Sequence, residues 1–224
     1  VKNLTDWFDR VYVINCQTRP DRLQETKDHL SETKMADIGK VVFYPAIIGS
    51  WTTVPADWLS GEGAWGCRNT HARILEDVIH TRNDEGEMTL KNILILEDDV
   101  VFVDKALQKF NEFIVNVPVD WGQIYLGGQH RGRKLETEHD NVIDATSINR
   151  THAHAINKPY YQQVYRHITY ASDYRGKKNH HVDHQLEVAH RRGDWPVYCP
   201  KKWLVGQRAG KSDISGKTNP TKFW

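Results

Sequence analysis

The chain has little cysteine, no long apolar run and almost no net charge, and each shortage narrows what it is. Only Cys16, Cys67 and Cys199 occur, odd in number and far apart, with no CxxC pair. That excludes a disulfide framework or a cysteine-built zinc site and suits buried thiols in a reducing compartment. No window approaches the roughly 18 apolar residues that a membrane helix needs. The first ten residues, VKNLTDWFDR, carry charges where a secretory leader would be apolar. A cytoplasmic protein with no membrane span is the expectation. Linkers rich in Pro, Gly or Ser are missing too, as are repeats, so one domain over residues 1–224 is the simplest reading.

What is present is unevenly spread. The net charge of +1 sums two unlike halves. Residues 1–124 hold 13 Lys+Arg against 20 Asp+Glu, a net of −7, and residues 125–224 hold 17 against 9, a net of +8. The second half carries RGRK (131–134), RGKK (175–178), HRR (190–192) and PKK (200–202). Such runs are commonly a solvated face; the sharper reading is a surface for an anionic partner, a diphosphate or a nucleic-acid backbone.

Apolar periodicity gives an alternating plan. RVYVINC (10–16), KVVFYPA (40–46), NILILE (92–97) and GQIYLGG (122–128) read as strands, HAHAIN (152–157) as a further one, and PVYC and KWLV as short late strands. Between them a helix follows TRPDR, with Thr18 as its N-cap and Pro20 in its first turn. GEGAWGC reads as a glycine-bearing turn feeding a helix to about Arg82, in which Leu75, Val78 and Ile79 share an apolar stripe. Further helices are expected near 104–115, over 158–168 and over 181–192. Strands alternating with helices predict an α/β domain with a mostly parallel central sheet flanked by helices.

Glu97, Asp98 and Asp99 stand at the end of the apolar run 93–96, and VVFV follows them. Adjacent charges between apolar stretches are costly unless something compensates them. In open α/β sheets ligands bind beyond the carboxyl ends of strands, which is where these acids fall. If the backbone stays extended, Glu97 and Asp99 point to one side and Asp98 to the other. Two carboxylates on one side make half a site for Mn2+ or Mg2+, whose remaining ligands are phosphate oxygens and water. Asp99 is the leading direct ligand, with Glu97 or Asp98 on ribose or on a metal-bound water. An acidic, solvated loop is the plain alternative.

Several blocks together resemble glycosyltransferase family 25, which contains lipooligosaccharide and collagen galactosyltransferases. VYVINCQTRPDR resembles its opening V-I-N-L strand and R-x-x-R pair, with Asn15, Arg19 and Arg22 in those places. GAWGCRNTH resembles G-x-x-G-C-x-x-S-H through Gly63, Gly66, Cys67 and His71, with Thr70 for the serine. ILEDD is present at 95–99. THAHAINKPYYQQV, HHVDHQL (with Asp183) and LVGQRAGKSDI (with Gln207, Ser212, Asp213 and Ile214) match later blocks less closely. The resemblance spans roughly 10–214. It departs from the family at Ala64 for a glutamate, at Trp65, and at His154 for a tyrosine.

What the resemblance implies is a GT-A fold. About 1–125 would form a nucleotide-sugar-binding half and about 126–224 an acceptor-binding half. The reaction would be metal-dependent transfer from a nucleotide sugar, UDP-linked by analogy, to a hydroxyl on a glycan or protein, with inversion. Asn15, Arg19, Arg22, Glu97 and Asp98 would contact the donor, the arginines beside a helix start that favours phosphate. Asp99, Glu97 and a histidine, His154 or His152, would hold the metal, with the Gln207–Asp213 segment as another source of a ligand. Asp183 would be the general base, with His71 orienting the site.

Each role has a structural counterpart: Arg19 or Arg22 pairing with Asp21 or Glu25, Asn15 capping a turn, His71 packing inside, Asp183 capping a helix. A hydroxylated base in DNA is the alternative acceptor, with Tyr160, Tyr161, Tyr165, Trp195 and Trp203 as stacking surfaces, or as core. A non-catalytic glycan- or partner-binding module and a nucleotidyltransferase complete the alternatives. CQTRPDR lacks the glycine that the last would want.

Overall fold

The computed structural model describes residues 1–170, 177–212 and 216–224. Asp213 and Ile214 lie outside the described residues, as does the first part of RGKK. The strands are β1 Arg10–Asn15, β2 Val41–Pro45, β3 Asn92–Glu97, β4 Val100–Phe102, β5 Gln123–His130, β6 Lys134–Glu136, β7 Val142–Ala145, β8 Ile148–Asn157, β9 Val197–Pro200, β10 Val205–Gln207, β11 Gly210–Lys211 and β12 Thr218–Asn219. The helices are α1 Leu4–Trp7, α2 Pro20–Glu32, α3 Glu62–His80, α4 Ala106–Ile114, α5 Tyr161–Thr169 and α6 Val182–Arg192.

An eight-stranded sheet in the order β2-β1-β3-β8-β5-β9-β7-β6 draws strands from both halves of the chain. β1 runs parallel to β2 and β3; β8 is antiparallel to β3 and β5, β9 is parallel to β5, and β7 is antiparallel to β9 and β6. The strands therefore point one way apart from β8 and β7, and the α/β class with a mostly parallel sheet is what the chain forms. The period of two along β3 divides the core. Ile93 and Ile95 face a cluster with Leu75 and Val78 of α3, Val164 of α5 and Leu186 of α6. Leu94 and Leu96 face the opposite cluster, with Leu4, Leu30 of α2, and Phe110 and Phe113 of α4. Both faces of the strand are covered, which is why its run is continuously apolar.

Local departures have local causes. The helix after β1 has Arg19, not Thr18, at its N-cap, with no side-chain cap bond; the Thr18 hydroxyl lies 3.1 Å from Cys16 Sγ instead. GEGAWGC is not a turn: α3 begins at Glu62, so Gly63, Gly66 and Cys67 are helical. Gly66 is needed there for closeness, since a Cβ on it would sit 2.2 Å from the Ile47 carbonyl oxygen. Gly49 makes the reciprocal approach, since a Cβ built on it would sit 1.9 Å from the Glu62 carbonyl oxygen. The start of α3 is thereby clamped onto the segment that follows β2. Tyr161, Trp195 and Trp203 are buried in the core, and Tyr160 and Tyr165 pack against it, so these aromatics build the second half's interior.

Candidate active-site cleft

A cavity of about 580 Å3 opens at the carboxyl ends of β1, β2 and β3. One wall comes from Cys16, the 46–50 segment and the clamped start of α3, with Cys67 and His71; the floor is Glu97, Asp98 and Asp99. β8 runs the other way, so its early residues Arg150 and Thr151 reach the same rim, beside Asp183 in the first turn of α6. Gln207 and Arg208 close the far side. They arrive because β10 pairs antiparallel with β4, setting Gln207 opposite Val100, while the Arg208 N–H donates to the Asp99 carbonyl at 2.6 Å.

The three acids divide their work. β3 ends at Glu97, and Asp98 and Asp99 stand in a turn, so the extended backbone assumed through Asp99 stops two residues earlier. Asp98 is held by the fold. Asn15 Nδ2 donates to it at 2.7 Å and Arg22 at 3.3 Å, while Thr26 Oγ1 donates to its carbonyl at 2.6 Å. Burial still pushes its carboxyl up, against the pull of Asn15 and Arg22. Among the described residues Glu97 accepts one bond, 3.1 Å from Thr151 Oγ1. Burial, then the neighbouring Asp99 charge, raise it to about 8. Asp99 is pushed up to about 6 by burial and then Asp98; among the described residues its carboxylate takes two long contacts, at 3.3 and 3.4 Å, both from the Gln207 amide.

The sequence-expected residues fall into two groups. Arg22, His71, Glu97, Asp98, Asp99, Asp183 and Gln207 line the cavity. Asn15, Arg19, His152 and His154 do not. Asn15 ties Asp98 to the Arg19 carbonyl, and the Arg19 guanidinium lies along the Asp21 carboxylate at 2.7 to 3.3 Å. His154 is buried behind His71, its Nε2 3.4 Å from His71 Nδ1. Arg22 also donates to the Lys211 carbonyl at 2.6 Å. Asp183 lies at a helix start and accepts from the His184 N–H at 2.9 Å.

Two residues that the sequence reading left without a role are also in place. Thr151 holds Glu97, and no local pattern signalled it. Cys67 lies four residues before His71, hence on the same helix face, and that spacing was the available clue. A Cys67 sulfur, a His71 nitrogen and a Glu97 oxygen lie within 4.8 Å of one another. Burial, followed by the charge of Glu97, raises the Cys67 thiol well above its ordinary range. Burial also lowers His71 to about 4, so its imidazole is neutral near pH 7.

Fold and site define an α/β protein with an acidic cleft at the carboxyl ends of parallel strands, the place where open α/β sheets bind their ligands. No protein-family model matches the chain. In sequence it is similar to a procollagen lysyl hydroxylase and glycosyltransferase of Acanthamoeba polyphaga mimivirus, 26% identical over 178 residues; the match covers 73% of this chain and 19% of that protein, so the chain spans about a fifth of its relative. Among solved structures it is similar to a glycosyltransferase involved in glycosylation of the PBCV-1 major capsid, with a TM-score of 0.37, 15% identity and coverage of 72% and 68% of the two chains. Mouse xyloside xylosyltransferase 1 gives 0.41, 11%, and 83% and 81%. Among the described residues, no helix is long and apolar enough to cross a membrane.

Proposed function

We propose that the protein is a metal-dependent glycosyltransferase of GT-A type, similar to family 25, that moves a sugar from a nucleotide donor, UDP-linked in our reading, to a hydroxyl on a glycan or protein with inversion. The supporting observation is the floor of the cleft: two carboxylates, Glu97 and Asp99, lifted to about 8 and about 6 by burial and then by the neighbouring charges of Asp99 and Asp98 respectively, in a cavity open to a ligand. Such groups are relieved by a cation.

The donor set fits a hard cation. Both groups are oxygen ligands, and the weakly engaged Asp99 carboxylate has lone pairs to give. Asp99 and Glu97 would hold Mn2+ or Mg2+ with donor phosphate oxygens; when bound, such an ion acts as a Lewis acid toward the leaving diphosphate. Asp98, clamped by Asn15, Arg22 and Thr26, fixes the turn that presents its neighbours. Arg22 and Arg208 give the rim positive charge on the diphosphate side. Asp183, across the cleft at the start of α6, takes the proton of the acceptor hydroxyl.

A thermal-shift screen of nucleotide sugars with and without Mn2+ tests donor class and metal need together, since a ligand selective for the native state raises Tm. A metal-dependent rise with UDP-sugars is expected. No rise with any sugar nucleotide removes the reading.

A further inference from the structure

Behind the cleft wall runs a chain of buried polar groups whose hydrogens have one consistent arrangement. It starts at two fixed donors. The Trp195 indole N–H, which can only donate, lies 2.7 Å from Gln123 Oε1. The Ile148 backbone N–H donates to His190 Nδ1 at 3.3 Å. His190 therefore carries its own hydrogen on Nε2, and it gives that hydrogen to the same Gln123 Oε1 at 2.8 Å. Two donors on one oxygen fix the orientation of the amide, because the flipped form would set its NH2 against them.

The remaining hydrogens follow from that orientation. Gln123 Nε2 donates to His154 Nδ1 at 3.3 Å. His154 then bears its hydrogen on Nε2 and donates to His71 Nδ1 at 3.4 Å. His71 is left with its hydrogen on Nε2. That atom is buried and has no partner among the described residues, on a residue that lines the cavity and is 1% exposed. Gln123, His154 and His190 are all buried as well, where an unsatisfied link is costly.

We infer that this relay fixes His71 as the neutral tautomer with its hydrogen on Nε2, and that this N–H is a donor reserved for an anionic oxygen of the sugar nucleotide in the cleft. The ligand's identity rests on the glycosyltransferase reading; the tautomer does not. The relay also bears on the nearby sulfur–nitrogen–oxygen trio. A metal needs a nitrogen lone pair, and here one ring nitrogen accepts from His154 while the other carries hydrogen. Cys67, His71 and Glu97 are thereby kept from acting as a thiolate–imidazole metal site, which leaves Glu97 to pair with Asp99. Gln123 and His154 act through His71 and are positioning residues.

The test uses metal-free protein labelled with 15N-histidine. A long-range proton–nitrogen correlation at neutral pH distinguishes bare from protonated ring nitrogens, and loss of a signal set in His71→Gln assigns His71. Nδ1 bare and Nε2 protonated, in both His71 and His154, is expected; the reverse pattern in either residue overturns the relay. Adding Co2+ should produce no thiolate-to-cobalt absorption. Such a band, lost in both Cys67→Ser and His71→Gln, would establish the metal site instead and refute the inference.

Titration calorimetry with UDP-sugar and Mn2+ then tests the donor role. His71→Ala should weaken binding about tenfold, the worth of one good hydrogen bond. His71→Gln, which places an amide N–H near the position of Nε2, should retain most of the affinity. Equal affinity in wild type and His71→Ala rejects the donor role. No binding by wild type removes the sugar nucleotide and that role together, while the spectrum still decides the tautomer.

Discussion

Replacing Glu97 by glutamine should make the metal-free protein more stable at alkaline pH while weakening its binding of donor with metal. The folded carboxyl is raised to about 8 from the ordinary 4.5, first by burial and next by Asp99. Below about 4.5 both folded and unfolded chains hold the proton, and stability is fully present. Between about 4.5 and about 8 the unfolded chain releases the proton and the folded chain keeps it, so stability falls as pH rises. At about 1.36 kcal/mol per pH unit the whole span is worth about 5 kcal/mol. Glu97 keeps part of its surface open to the cleft, and solvent there reduces the loss to roughly 2–3 kcal/mol. Urea denaturation in EDTA at pH 5, 7 and 8.5 measures it. Wild type should lose stability across the series, and Glu97→Gln should lose clearly less, ending about 2–3 kcal/mol above wild type at pH 8.5. Parallel curves for the two proteins would refute the assignment of that strain to Glu97.

Three further outcomes are expected. Asp99→Ala should abolish metal-dependent UDP binding and sugar transfer while leaving the circular-dichroism spectrum intact; unchanged turnover rejects its metal role. Asp183→Asn should bind donor as wild type does yet lower kcat by about 10²–10⁴-fold, and equal loss of donor affinity would move Asp183 to the donor side. Gly66→Ala drives a methyl to 2.2 Å from the Ile47 carbonyl oxygen, so it should cost about 1–3 kcal/mol in urea unfolding and open the wall beside Cys67.

Much of the fold was legible because strands such as β1 and β3 are contiguous apolar runs and long helices such as α3 and α6 carry an apolar stripe. β3 and α6 lie close to where patterning put them, while β8 begins at Ile148, four residues before the expected 152–157. The short pieces were not legible. β4 pairs with β10 about a hundred residues away, and β6 has three exposed residues, so neither has a local period to read. In the site, the acids could be found because their cost is visible in one dimension. The structure then separates them by partner: all three line the cavity, but Asp98 is held by Asn15, Arg22 and Thr26, whereas Glu97 and Asp99 have looser partners. His154 shows the opposite failure. A histidine in an alternating strand does not reveal whether it reaches a cleft or lies one layer behind it, and it is the packing of α3 over β8 that decides. The hydrogen relay was hidden because Gln123, His154, His190 and Trp195 come from separate elements.

The clamp on the middle aspartate has a consequence for anyone moving this motif elsewhere. A tripeptide E-D-D pasted onto the tip of another strand would carry the two outward carboxylates but not the anchor that aims them. The transplant would have to include an amide at the end of the adjacent strand, a guanidinium one helical turn into the next element, and a hydroxyl a further turn along. The portable unit is thus a three-piece bracket rather than three consecutive letters.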